Sequence, residues 1–375
     1  MTWKIPLFKM YWDDDDIVQV TAAIKSGMNW ALGPQIPAFE KMIADYIGTD
    51  YCVAFNSGTS ALHATLLAYG IGHGDEVIVP SFTFIATANA PKFVGAKSVF
   101  ADIEDATFGL DPSDVEAKIT TKTKAILPIH YGGSPCKIRE LQKIADEHGL
   151  ILIEDAAEAL GAQVGGRKIG TFGDSAIMSF CQNKIITTGE GGAVVTSNRD
   201  LYEKMKLIRS HGRPDTVDYF STTEILDYIS LGYNFRMSTM TAALGISQLH
   251  KVERIIAQRR ADAEYYRSGL NSVPNLSVPH EEAGTFPVYQ LFSIKSKKRD
   301  DLIKYLERKG IMTKIYFPPV HKTHYYQNVL GYSCSLPVTD AVSEEIVSLP
   351  FYPGITRDNM DLVIQTIKEF EAKSQ

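Results

Sequence analysis

The sequence predicts an α/β protein, a mostly parallel central sheet flanked by helices and followed by a smaller C-terminal α+β domain. Three observations predict it. Between residues 51 and 153, short apolar runs alternate repeatedly with helical patterns. Those runs are continuously apolar rather than alternating, as expected of strands buried on both faces of a parallel sheet. Beyond residue 250 such runs thin out, and a length of 375 residues favours a large unit with a smaller partner.

The elements follow in order. Tyr51-Cys52-Val53-Ala54-Phe55 reads as a strand, and a helix over 60–68 places Leu62, Leu66 and Leu67 on one face. Glu76-Val77-Ile78-Val79-Pro80 is the next strand, followed by a helix over 83–94 and a strand over 98–103. Asp111-Pro112 opens a short helix with proline in its first turn, where a missing N–H does no harm. A strand over 124–129 precedes a helix over 138–148 closed by Gly149, then the apolar run 150–153 and a strand over 176–180. One long helical segment, 238–266, carries Leu249, Val252 and Ile256 on one face and bridges into the second unit. The expected division is therefore a large domain over 1–250 and a small one over 251–375. The small domain reads as a strand over 288–294, a helix over 300–309 closed by Gly310, a strand over 313–317 and a final helix over 357–372.

Composition excludes several classes. The formal charge is only -6, and Lys297-Lys298-Arg299 runs straight into Asp300-Asp301, a solvated helix start rather than a basic stripe. A general nucleic-acid binder is not expected. Cys52, Cys136, Cys181 and Cys334 are scattered without metal-ligand spacing, so no metal is expected, and so few cysteines fit a reducing compartment. The first residues lack an apolar signal core, and no apolar run approaches the roughly 18 residues of a membrane span. The expectation is a cytoplasmic protein with no membrane or nucleic-acid partner. Neither G-x-G-x-x-G after the first strand nor G-x-x-x-x-G-K-[ST] occurs, so dinucleotide and P-loop sites are excluded.

Lys184 carries most of the chemical signal. It follows an apolar strand and precedes Gly189-Glu190-Gly191-Gly192, where the backbone is free to turn tightly. Upstream, the run ending in Glu154-Asp155 puts a carboxylate at the end of a buried strand, the edge where ligands sit in such sheets. An amine, a carboxylate and a nest of phosphate donors suit pyridoxal 5'-phosphate (PLP), whose aldehyde, ring nitrogen and phosphate need one of each. Each residue also has a plainer use. A lone loop lysine is most often solvated. Asp155 also reads as a cap, and Glu158, one helical turn on, either faces the same pocket as a cofactor contact near the ring hydroxyl or is a solvated helix-start acid. Ser57-Gly58-Thr59-Ser60, between a strand and a helix, offers N–H groups and hydroxyls to an anion, or simply caps the helix. Of Phe82 and Phe84, either packs in the core or stacks on a ring.

Together these segments resemble the DegT/StrS family of PLP-dependent sugar aminotransferases, within the fold-type I aminotransferase superfamily. The resemblance runs through Asn56-Ser57-Gly58-Thr59-Ser60-Ala61-Leu62-His63, Pro80-Ser81-Phe82-Thr83-Phe84, Glu154-Asp155-Ala156-Ala157-Glu158, and the block 179–192. It continues in Gly232-Tyr233-Asn234-Phe235-Arg236-Met237 and Tyr316-Phe317-Pro318-Pro319-Val320-His321. It implies that Lys184 is the Schiff-base lysine and Asp155 the partner of the pyridine nitrogen. Ser57, Gly58 or Thr59, with Ser179, match phosphate ligands, and Phe84 matches the stacking aromatic. Asn234 matches a residue reaching the phosphate from a neighbouring subunit, which implies a homodimer with shared active sites. His321 matches a residue near the sugar nucleotide. Glu158 stands where many members carry Gln and is similar to the GDP-perosamine synthase branch. That branch implies amination at C4 of a GDP-linked 4-keto-6-deoxyhexose, with L-glutamate as donor. Other nucleotide-linked keto sugars, cyclitols and a non-catalytic PLP-binding sensor are the rival readings. A sugar dehydratase of the same family would carry His in place of Lys184.

Overall fold

The computed structural model describes residues 3–214, 222–223 and 225–373. The large domain is built on β1 (Tyr51–Phe55), β2 (Glu76–Pro80), β3 (Lys97–Ala101), β4 (Thr123–Ile126) and β5 (Ile151–Asp155). A small hairpin, β6 (Gln163–Val164) and β7 (Arg167–Lys168), precedes β8 (Ser175–Ser179) and β9 (Gly192–Thr196). The central sheet has the order β1-β9-β8-β5-β4-β2-β3. β9 runs antiparallel to β1 and β8, while the pairs from β8 to β3 are parallel. The continuous apolar runs are buried on both faces, as their composition requires: all five residues of β2 and of β9 are buried.

β9 is the strand that the sequence does not announce. It begins with Gly192, and only glycine fits there, because a Cβ would stand 2.5 Å from the Gly58 nitrogen. Its reversal has a consequence for Lys184. The connection from β8 to its antiparallel neighbour starts and ends at one edge of the sheet, so residues 180–191 stay beside the ends of β1 and β5.

The expected helix over 238–266 is two helices, Thr239–Leu249 and Val252–Leu270. The break falls at His250-Lys251, where the buried Lys251 ammonium pairs with Asp16 at 2.9 Å and with Asp13. Apolar periodicity does not reveal such a break, because the acidic partners come from the first turn and N-cap of a helix more than 200 residues away in sequence, Asp14–Lys25. The second helix is shared between cores. Val252, Ile255 and Ile256 pack with the sheet, and Ala263, Tyr266 and Leu270 pack in the C-terminal core.

That C-terminal core also takes Ile5 from the start of the chain. Its sheet is β10 (Leu276–Ser277), β12 (Ser293–Ser296) and β13 (Ile346–Ser348), all antiparallel, while β11 (Thr285–Phe286) pairs back onto β6. The strand expected over 288–294 thus forms later, at β12. The one expected over 313–317 is replaced by a single bridge between Lys314 and Ser348. There the chain turns toward the large domain, and the Tyr316 carbonyl accepts from the Tyr131 hydroxyl. Val320, Tyr326 and Leu336 then pack with Phe100 and Leu127 of the large domain.

Candidate active site

Asp155 ends β5 and is buried. Its Oδ2 accepts from Thr87 Oγ1 at 2.7 Å and its Oδ1 from the Ala157 N–H at 3.2 Å. Thr87 in turn lies 2.8 Å from Thr83 Oγ1, one turn earlier. Because the Thr87 proton points to the carboxylate, Thr83 is the donor in that second bond. Burial pushes the Asp155 carboxyl above the usual range, and the Thr87 bond, the Ala157 N–H and the charge of Lys184 pull it partly back.

The Lys184 ammonium lies 3.1 Å from Glu158 Oε1, both side chains being largely buried. Glu158 Oε2 accepts from the Gly132 N–H at 2.9 Å. Glu158 therefore faces the pocket rather than solvent. The lysine loop is fixed from both sides: Phe180 N–H donates to Gly191 O at 2.9 Å, and Gln290 Nε2 donates to the Asn183 carbonyl. Ile185 and Ile186 anchor it in the core.

At the neighbouring strand ends lies a candidate anion corner. Ser57 caps the helix Gly58–Ala68, its Oγ accepting from the Ser60 N–H at 3.1 Å. With Ala61 N–H on Ser57 O, the N–H groups of Gly58 and Thr59 are left pointing out of the first turn. Ser179 closes the corner: a Cβ on Gly58 would stand 3.2 Å from Ser179 Cβ. The helix-cap and anion-site readings of this segment are thus compatible.

Phe82 and Phe84 separate cleanly. Phe82 is fully buried against Tyr131 and Phe108, whereas Phe84 is 57% exposed at the rim, 5.9 Å from the Phe317 ring. Asn234 is exposed near the anion corner, and its carbonyl accepts from Asn56 Nδ2 at 3.4 Å. His321 is buried beside the end of β2. Its Nδ1 lies 2.7 Å from Ser81 Oγ and its Nε2 3.4 Å from Asp340, and burial lowers its proton affinity. In this chain it pins residues 320–322 to the end of β2.

Sequence reasoning missed Thr83, Thr87 and Gly132. The i, i+4 spacing of the two threonines beside Phe84 was the available signal. Gly132 carries no chemical side chain and shows its role only through its N–H.

The donor set fits PLP. A corner of free N–H groups and hydroxyls suits the phosphate, a buried carboxylate suits a ring nitrogen, and an amine lies within the same pocket. Among the described residues no cluster of His, Cys, Asp or Glu is arranged to hold a metal ion.

Residues 11–368 match the DegT/DnrJ/EryC1/StrS aminotransferase family. A GDP-perosamine synthase of Vibrio cholerae is 36% identical over 371 residues, 98% of this chain and 99% of the relative. The crystal structure of S. venezuelae DesV in complex with a ketimine intermediate superposes with a TM-score of 0.90 at 34% identity, covering 99% of each chain. The PLP-form of a sugar aminotransferase described as putative, Spr1654 from Streptococcus pneumoniae, gives 0.93 at 26% identity over 99% of each chain. The chain belongs to the DegT/DnrJ/EryC1/StrS aminotransferase family.

Proposed function

We propose that this PLP-dependent aminotransferase transfers an amino group from L-glutamate to C4 of a GDP-linked 4-keto-6-deoxymannose. One observation carries the reading: Lys184, 3.1 Å from Glu158 and close enough for its charge to act on the buried Asp155, lies at the same sheet edge as the Ser57–Ser179 corner. When bound, PLP supplies an aldehyde carbon that exchanges amines and a ring that stabilises negative charge at the adjacent carbon. The chain's own residues do the rest. Ser57, Gly58, Thr59 and Ser179 hold the phosphate, and Phe84 covers one face of the ring. Asp155 holds a proton on the ring nitrogen. Lys184, with its amine free, would take the proton from the donor's α-carbon and deliver it to the cofactor carbon that had been the aldehyde.

The choice of sugar is supported by the full-length similarity to a GDP-perosamine synthase and by Glu158. The same proposal includes a homodimer, in which Asn234 serves the neighbouring subunit's phosphate corner and His321 lies near the bound nucleotide sugar. The exposed Trp12, Ile17, Val18, Ile24, Met28 and Trp30, on and around the helix Asp14–Lys25, support a covered face of this kind. A cytoplasmic location is supported by the four free cysteines.

Mass spectrometry of products from glutamate and a panel of nucleotide-linked keto sugars tests the substrate. Lys184→Ala is expected to abolish the visible absorbance of lysine-bound cofactor and to lower turnover by at least about a thousandfold, within the range for losing a general base. Borohydride reduction that leaves the Lys184 peptide unlabelled in cofactor-replete protein would refute the reading.

A further inference from the structure

The carboxylate of Glu158 bridges two donors, Lys184 Nζ at 3.1 Å and the Gly132 N–H at 2.9 Å. An ammonium and a backbone N–H both need acceptors, and a carboxylate supplies two. A glutamine here would satisfy Gly132 with its oxygen and then turn its NH₂ toward Lys184, donor against donor. In this chain the acid satisfies both donors at once.

The other groups around the pair do not duplicate it. Asp155 is already engaged by Thr87 and Ala157. Burial pushes the hydroxyls of Tyr131 and Tyr316 and the thiol of Cys181 upward, so all three stay neutral. Lys9 and Arg259, which line the crevice beside Lys184, supply no acceptor carboxylate. Glu158 is the one carboxylate at hydrogen-bond distance from Lys184 Nζ among the described residues.

We propose that Glu158 is a positioning residue for Lys184, holding a proton on the lysine nitrogen while that nitrogen is joined to the cofactor as an imine. This rests on the functional reading above. A protonated imine is the form that an incoming amine attacks, so Glu158 sets the upper limit of the pH range over which the resting enzyme is ready for its donor. An opposite charge at this distance favours the protonated state, so removing it moves the protonation midpoint to lower pH.

The test is a spectrophotometric pH titration of cofactor-loaded wild type, Glu158→Gln and Glu158→Asp, following the visible band of the protonated imine. The midpoint in Glu158→Gln is expected to fall by at least about one pH unit, a tenfold loss of proton affinity. Glu158→Asp, a carboxylate of shorter reach, is expected to recover part of the shift. Binding of 4'-deoxypyridoxine 5'-phosphate, which has no aldehyde, is expected to stay within about twofold in the apo forms, since ring and phosphate contacts persist. Equal midpoints in wild type and Glu158→Gln would overturn the inference while leaving the aminotransferase assignment intact. Absence of the band in wild type would overturn both.

Discussion

A carboxylate buried at the end of a strand loses its hydration, which alone drives it toward the neutral form. Asp155 has to resist that drive if it is to hold a proton on a ring nitrogen. Thr87 is the side chain that resists it most, by donating to Oδ2, and Thr83 orients Thr87. Thr87→Val keeps the shape and deletes the donor. The Asp155 carboxyl then rises further, so the ionised form is reached only at higher pH. The acid limb of the kcat/KM profile is expected to move to higher pH and turnover to fall by about tenfold, in line with the ~1–3 kcal/mol of a lost bond to a buried charged group. Cofactor content is expected to hold, because the phosphate corner is untouched. A rate–pH profile of the variant checks this, and an unmoved acid limb would contradict it. Lys184 and Asp155 stood out in the sequence because the covalent and charge chemistry proposed for them demands specific residue types. Thr87 was not, since a threonine in a helix has many ordinary uses.

At the scale of elements, the site depends on β9 running against its neighbours. Strands β1, β5 and β8 were readable because each is a continuous apolar run. β9 hides behind Gly191-Gly192, and its role emerges only from its packing against Gly58. Gly192→Ala should therefore act at a distance from the lysine. The new methyl would collide with the Gly58 nitrogen and with the Ser57 carbonyl group, both in the backbone, which cannot yield as a side chain would. Overpacking of this kind costs roughly 1–3 kcal/mol. The anion corner is expected to open, weakening PLP binding by about tenfold or more, since each 1.4 kcal/mol is tenfold. Fluorescence titration of the apoprotein with PLP measures it. Retained affinity would show that the corner does not hold the phosphate.

Over the whole molecule, the two cores are stitched together by chain that crosses between them. The helix Val252–Leu270 gives its first half to the sheet and its second half to the C-terminal core. Val320, Tyr326 and Leu336 return to complete the large domain, and Ile5 travels the other way. A cut after residue 250 suits the thinning of apolar runs along the sequence, but it strips the sheet of Val252, Ile255, Ile256 and the returning segment. Those side chains are buried in the hydrophobic clusters built on the sheet, and each fully buried aliphatic or aromatic residue contributes roughly 1.5–3 kcal/mol. Domains hold only about 5–15 kcal/mol of net stability. A fragment of residues 1–250 is therefore expected to lack a cooperative thermal transition and to bind PLP weakly or not at all. The full chain is expected to unfold in one calorimetric transition, because neither core is complete alone. Calorimetry and near-UV circular dichroism of the two proteins distinguish the cases. A fragment that melts cooperatively and retains PLP would mean that the crossing segments decorate a self-sufficient domain, and that the small domain is free to move against it.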